Sequence, residues 1–190
     1  MALQGALFTE ESRLPSGLRH VAGFVSGAEE DALLGGIRAL ELREAQYKEY
    51  TAKRRVASFG ASYDYDANEL TPAPAIPAFL LGLREKVAAW SGIRAEDFGD
   101  ALVSEYRPGT GLGWHRDVPQ FEAIAGISLV GVATMRFRPY PPRNGARVLT
   151  LELAPRSAYL FQGDVRWKWQ HSIVPTRDLR YSITFRTRAR

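Results

Sequence analysis

Apolar residues fall into a helical rhythm in the first half of the chain and into short β-type runs after Asp100. Ser26-Gly27-Ala28-Glu29 has the form of a capping box, in which serine and glutamate side chains each accept from the other's backbone N–H. It opens an amphipathic helix carrying Leu33, Leu34, Ile37 and Leu40 to about Leu42, weakened by Gly35-Gly36. After a loop punctuated by Pro72, Pro74 and Pro77, Phe79, Leu80, Leu83, Val87 and Trp90 recur at helical spacing and stop near Gly92, predicting a second helix. Residues 101–106, 124–137, 148–153, 157–161 and 181–185 are β-branched or aromatic runs separated by Gly, Pro and Asn. Pro139, Pro141, Pro142, Asn144 and Gly145 predict a turn between antiparallel strands. Between the helices, residues 54–65, rich in Arg, Phe and Tyr, read as an irregular hairpin or surface loop. Helices followed by many strands predict an α+β domain, a sandwich or jelly roll with the helices covering one sheet.

At 190 residues with 45% apolar side chains, the chain is expected to form one domain, 1–190. It has no cysteine, so disulfides, thiol nucleophiles and thiolate metal sites are excluded, and any metal must take nitrogen and oxygen ligands. Apolar runs such as residues 76–83 fall far short of the roughly 20 residues of a membrane span, and the first residues lack the basic-then-apolar order of a signal peptide. A cytoplasmic monomer with no membrane partner is expected. Charge changes the picture of partners, because residues 136–190 hold eleven Arg and Lys168 against Glu152, Asp164 and Asp178, a net +9 within a chain of net +4. Arg outnumbers Lys 21 to 4, which suits planar, bidentate contacts to phosphate or carboxylate, although an Arg-rich composition also fits a merely solvated surface.

Two of the chain's three histidines stand in a suggestive arrangement. His115 and Asp117 are two apart, so in an extended segment both side chains reach one face while Arg116 turns away. His171 supplies a third ligand from a distant segment, completing a two-His, one-carboxylate triad that suits non-haem iron(II) and leaves open coordination positions. Iron(II) with two neutral imidazoles and one carboxylate is a +1 site, matched to a dianionic chelating cosubstrate. Arg180 and Arg186, an even six residues apart, share one strand face with Ser182 and Thr184 and can hold the far end of that dianion. His20, Trp167 and Trp169 read as structural residues.

His115-Arg116-Asp117, a long interval, His171 and then Arg180 through Arg186 resemble the AlkB-like family of iron(II)- and 2-oxoglutarate-dependent dioxygenases. The resemblance runs from about Leu102 to Phe185 and includes Tyr106-Arg107-Pro108-Gly109 and Met135-Arg136-Phe137. It implies a double-stranded β-helix, a jelly-roll core over about 100–187 with two N-terminal flanking helices, and Fe(II), 2-oxoglutarate and O2 as metal and cosubstrates. It further implies that His115, Asp117 and His171 bind the metal, Tyr106 and Arg180 bind 2-oxoglutarate, and Arg186 lies near the metal-bound carboxylate. Ser104 and Ser182 stand where repair enzymes of the family usually carry amides, and both can donate a hydrogen bond to the cosubstrate. Pro119 stands where repair enzymes commonly carry an acid that reads a cationic base, with Glu122 as a nearby substitute.

AlkB-like enzymes cover the site with a variable lid, here expected over about 45–75, with Arg54 and Arg55 on phosphates and Phe59, Tyr63 or Tyr65 stacked on the base. The alternative is that these aromatics plug the core. The implied activity is oxidative demethylation of N-methylated nucleobases in flipped or single-stranded DNA or RNA. Rival readings are a 2-oxoglutarate-dependent protein hydroxylase or demethylase, which shares His-x-Asp, His and a later basic residue, and a degenerate binding module without chemistry.

Overall fold

A computed structural model describes residues 14–47, 50–64 and 67–189. The capping box forms: Ser26 N–H donates to Glu29 Oε2 at 2.7 Å and Glu29 N–H to Ser26 Oγ at 3.2 Å, starting helix α1 at Gly27–Arg38. The helix stops short of the expected Leu42. Gly36 has a packing reason inside it, because a β-carbon there would overlap the Phe79 ring of helix α2, Ala78–Ser91. Gly92, in the left-handed region at φ 80, closes α2.

Thirteen strands are described: β1 Leu18–Val21, β2 Arg43–Tyr47, β3 Tyr50–Phe59, β4 Ala61–Asp64, β5 Glu69–Pro72, β6 Asp100–Tyr106, β7 Leu112–His115, β8 Phe121–Leu129, β9 Ala133–Pro139, β10 Leu149–Leu153, β11 Ala158–Phe161, β12 Trp169–Ile173 and β13 Arg180–Arg188. A short helix α3, Asp164–Trp167, precedes β12. Seven strands form a major sheet in the order β1-β11-β8-β13-β6-β3-β2 and four a minor sheet in the order β10-β9-β12-β7, with β4 and β5 as a separate hairpin. Strands β6 to β13 cross back and forth between the two sheets, apart from the β9-β10 pair within the minor sheet, which makes their eight-stranded core a double-stranded β-helix.

Strand alternation divides the apolar residues between two cores. Ala101, Val103, Ile127, Leu129, Leu160, Ile183 and Phe185 face α1 and α2, whose Leu33, Ile37, Leu80 and Val87 cover the major sheet from outside. Tyr106, Ile124, Met135, Phe137, Leu153, Phe161 and Ile173 fill the space between the sheets.

Three departures from the expected elements bear on the site. The run 124–137 is two strands in different sheets, parted at Val130 with φ 70 and Gly131. Residues 54–59 belong to β3, hydrogen-bonded to β6 of the major sheet rather than forming a surface loop. Phe59 is accordingly 7% exposed and packed in the core under the helices, so its expected role as a base-stacking residue is corrected: it is the plug of the alternative reading. No described helix is long and apolar enough to cross a membrane.

Candidate active site

The open mouth of the β-helix presents the triad. In the minor sheet His171 pairs directly with His115, and Ile173 with Leu112. The spacing of two on β12 and three on β7 requires a bulge, and the bulge lets Leu112 and His115 both face inward. Asp117 follows two residues beyond His115. One ligand atom from each of His115, Asp117 and His171 lies within 4.8 Å of the others, a spacing one metal ion can span. The rings of His115 and His171 are 4.2 Å apart, and Asp117 Oδ2 stands 3.5 Å from His171 Nε2.

Second contacts set the ligand states. His115 Nδ1 donates to the Gly113 carbonyl at 2.9 Å, which fixes the tautomer and leaves the Nε2 lone pair for a metal. Burial pushes His171 down to about 3, reinforced by the neighbouring His115, and burial likewise lowers His115. For Asp117 burial acts upward, but His171, His115, Arg186 and Arg166 outweigh it and hold the carboxyl below its ordinary value. Two neutral imidazoles and one carboxylate result, the protonation states that metal binding requires.

Strand β13 carries the second cluster. Arg180 pairs with Tyr106 and Ser182 with Ser104 across β6, so all four project between the sheets, with Thr184 and Arg186 further along the same face. Arg180 is 1% exposed; its Nε donates to Ser128 Oγ at 2.9 Å, its guanidinium lies 4.9 Å from the Tyr106 ring centre, and its Nη1 is buried with no hydrogen-bond partner among the described residues. Burial acts upward on the Tyr106 phenol, yet the cationic Arg54 and Arg180 beside it bring it below its usual value. Arg186 Nη2 stands 4.0 Å from Asp117 Oδ1, and its Nε is likewise buried with no hydrogen-bond partner among the described residues. A cavity of about 600 Å³ joins this cluster to the triad, and Tyr159 lies against its wall where Gly126 leaves room for the ring. Among the described residues Arg180 forms no ion pair with a carboxylate, and a buried cation so placed beside a metal triad fits a dianion such as 2-oxoglutarate.

The expected lid residues separate. Alternation along β3 turns Arg54 inward, where its Nη1 donates to Tyr106 Oη at 3.4 Å, so it lines the cavity rather than an exposed phosphate surface. Arg55 turns outward, donating to Glu105 at 3.1 Å and to the Leu42 carbonyl, which makes it a brace of the sheet and corrects its expected phosphate contact. Tyr63 lines the cavity from β4, while Tyr65 lies outside the described residues. Glu122 accepts from Trp167 Nε1 at 3.3 Å and is not among the residues lining the cavity, so it does not take the place left by Pro119.

Sequence reasoning missed Arg166. From α3 this 3%-exposed side chain donates Nη2 to the Val118 and Phe121 carbonyls at 2.7 and 2.6 Å and Nε to Phe121 at 3.1 Å. It thereby clamps the turn that leaves Asp117. A buried arginine in a four-residue helix has no periodic signal, and only the fold brings α3 under that turn.

A double-stranded β-helix with a two-His, one-carboxylate cluster and buried arginines on an adjoining strand defines a mononuclear non-haem iron oxygenase. The chain belongs to the 2OG-Fe(II) oxygenase superfamily, whose family model matches residues 20–186, and its sequence relatives include AlkB-like proteins. It is 28% identical to the "Alkylated DNA repair protein ALKBH8 homolog" of Arabidopsis thaliana over 88% of this chain and 53% of that protein. To the "Probable RNA/DNA demethylase ALKBH6" of Danio rerio it is 26% identical over 84% of this chain and 70% of that one. The chain thus spans about half the length of the Arabidopsis relative. Among solved structures, OsALKBH1 superposes with a TM-score of 0.70 at 16% identity, covering 92% of this chain and 98% of that one. A Pseudomonas putida prolyl-4-hydroxylase superposes at 0.61 and 18% identity, over 92% and 93%. The superfamily uses Fe(II), 2-oxoglutarate and O2, and the His115, Asp117 and His171 cluster fits iron.

Proposed function

We propose that the protein oxidatively removes a methyl group from nitrogen of a nucleobase in DNA or RNA, with His115, Asp117 and His171 holding the iron. The observation that carries this reading is the cavity. Besides the triad and the buried cations of β13, it is bounded by Ser58, Ser62 and Tyr63 of β3 and β4, a polar and aromatic wall suited to a planar base. The likeness to relatives named as DNA repair protein and RNA/DNA demethylase supports the same substrate class.

When bound, iron, 2-oxoglutarate and O2 supply hydroxylation of the N-methyl carbon with release of succinate and CO2, and the hydroxymethylamine then loses formaldehyde to leave N–H. The chain's own residues do the positioning. Arg180, through its unpartnered Nη1, pairs with the distal carboxylate, while Tyr106 and the Ser104 and Ser182 hydroxyls donate along the same channel. Arg186 sits beside Asp117, where it can balance negative charge close to the metal. Within the expected lid, about 45–75, Ser58, Ser62 and Tyr63 form the wall on which the base rests.

A protein hydroxylase is the second reading, favoured by the fold shared with the prolyl-4-hydroxylase. Incubation with iron(II), 2-oxoglutarate and a panel of methylated DNA and RNA oligonucleotides and methylated or proline-containing peptides separates the two. Formaldehyde from oligonucleotides alone is expected. Turnover of peptides with none of oligonucleotides would reverse the assignment.

A further inference from the structure

The minor sheet has an outer face that the reaction does not use. On it Trp114 of β7 sits between two arginines of β9, with the Arg136 and Arg138 guanidinium groups 5.0 and 4.5 Å from its rings. Their Nε atoms donate to neutral partners on β12, Ser172 Oγ at 3.0 Å and Gln170 Oε1 at 2.8 Å, and among the described residues their terminal Nη groups have no hydrogen-bond partner. Arg116 lies 3.7 Å over the exposed Tyr140 ring and donates Nη1 to the Trp167 carbonyl. Arg143 and Arg147, both exposed, extend the row along the loop between β9 and β10.

Carboxylates brace some arginines of this protein and not others. Arg43, Arg55, Arg94, Arg107, Arg156 and Arg188 each stand within 4.0 Å of a carboxylate. Among the described residues, Arg116, Arg136, Arg138, Arg143 and Arg147 form no such pair. Glu152, exposed on β10, shares the face without bridging any of them. Arg116, Arg136 and Arg138, held by stacking and neutral acceptors, keep their full charge for an external anion with their guanidinium groups ordered in advance, and the exposed Arg143 and Arg147 add charge beside them.

Position supplies the second half. Trp114 and Arg116 flank the metal-ligating candidate His115 in sequence, and both also border the catalytic cavity. The basic row therefore runs continuously from the mouth of the cavity onto the sheet.

We infer that the outer face of the β7-β12-β9-β10 sheet is the track for the phosphate backbone of the nucleic-acid strand whose base enters the cavity. This rests on the function proposed above and adds where the flanking nucleotides lie. Phosphates would pair with Arg136, Arg138, Arg143 and Arg147.

The test is fluorescence anisotropy of a labelled, unmodified single-stranded oligonucleotide against manganese- and 2-oxoglutarate-loaded protein, titrated between about 50 and 200 mM salt. Each neutralised phosphate contact on a single strand contributes about 0.7 to the log–log salt slope, so R136Q/R138Q and R143Q/R147Q should each lower it by about 1.4 and weaken low-salt binding roughly tenfold. The loop pair is exposed and lies outside the strands, so its substitution leaves the sheet intact. Formaldehyde release from methylated oligonucleotides is measured alongside. If wild type demethylates oligonucleotides and both double variants keep its slope, the track is wrong and the proposed function stands. If wild type neither binds nor demethylates any oligonucleotide, the proposed function has failed and the track falls with it. Binding to phosphatidylserine vesicles without binding to the oligonucleotide would overturn the track in favour of a membrane surface.

Discussion

Arg180→Met separates the cost of a buried cation from its use. In the metal-free, ligand-free protein the guanidinium is 1% exposed, one of its terminal nitrogens has no partner among the described residues, and its Nε donates to a serine hydroxyl. Removing an uncompensated buried charge relieves a desolvation penalty of order several kcal/mol. Against that, the buried Ser128 hydroxyl loses its donor, at about 1–3 kcal/mol. Methionine has similar length and fills the space. The ligand-free midpoint of unfolding should therefore stay close to wild type or rise.

Ligand response should move the other way. At a hundredfold excess over its dissociation constant, 2-oxoglutarate stabilises a binding-competent protein by about 2.7 kcal/mol. For a domain of this size that is a rise in Tm of roughly 5–11 °C. The Arg180→Met variant should show none of this rise at the same concentration with manganese present. The assay is differential scanning fluorimetry with and without 2-oxoglutarate. A retained rise would refute the assignment of Arg180 to the distal carboxylate, and a ligand-free protein melting far below wild type would show that the arginine is structural.

Arg166→Met should leave the triad residues in place but free the turn after Asp117, lowering Mn(II) affinity by about 10–100-fold in isothermal titration, with Arg166→Lys recovering part of it. Phe59→Ala should cost about 3–5 kcal/mol in chemical denaturation, with oligonucleotide affinity of the folded protein unchanged, because the ring packs in the core and not on a base. The metal-free protein should lose stability in acid. Burial holds His171 down to about 3 against an ordinary 6.5, so the unfolded chain takes a proton that the folded chain refuses. That contribution is complete above pH 6.5 and declines toward pH 3, at up to about 1.4 kcal/mol per pH unit. A Tm that stays flat on acidification through this window, or one whose slope is unaltered in His171→Gln, would contradict it.

Local patterns carried much of this protein into view from sequence. Ser26 and Glu29 announce a helix start because capping is completed within four residues, and Phe79 to Trp90 announce a helix because one apolar stripe is enough. The spacing of His115 and Asp117, and of Arg180 and Arg186, is legible for a similar reason: strand alternation is a local rule, so residues two or six apart share a face whatever the rest of the chain does. Even the resemblance to AlkB-like enzymes rested on such spacings.

Pairing between distant strands decided what those spacings could not. Strand β12 is polar and aromatic, Trp169-Gln170-His171-Ser172, and becomes a strand because β9 and β7 hydrogen-bond to it on both sides, which is also what sets His171 opposite His115. Strand β3 carries two arginines that read as a basic loop. Once β6 pairs with it, one of them faces Tyr106 in the cavity and the other a glutamate on the opposite face. Arg166 reaches the turn after Asp117 only because α3 folds beneath it. Hydrogen-bond partners and burial are relations between distant residues, so the divided fate of Arg54, Arg55 and Phe59 belonged to tertiary structure alone.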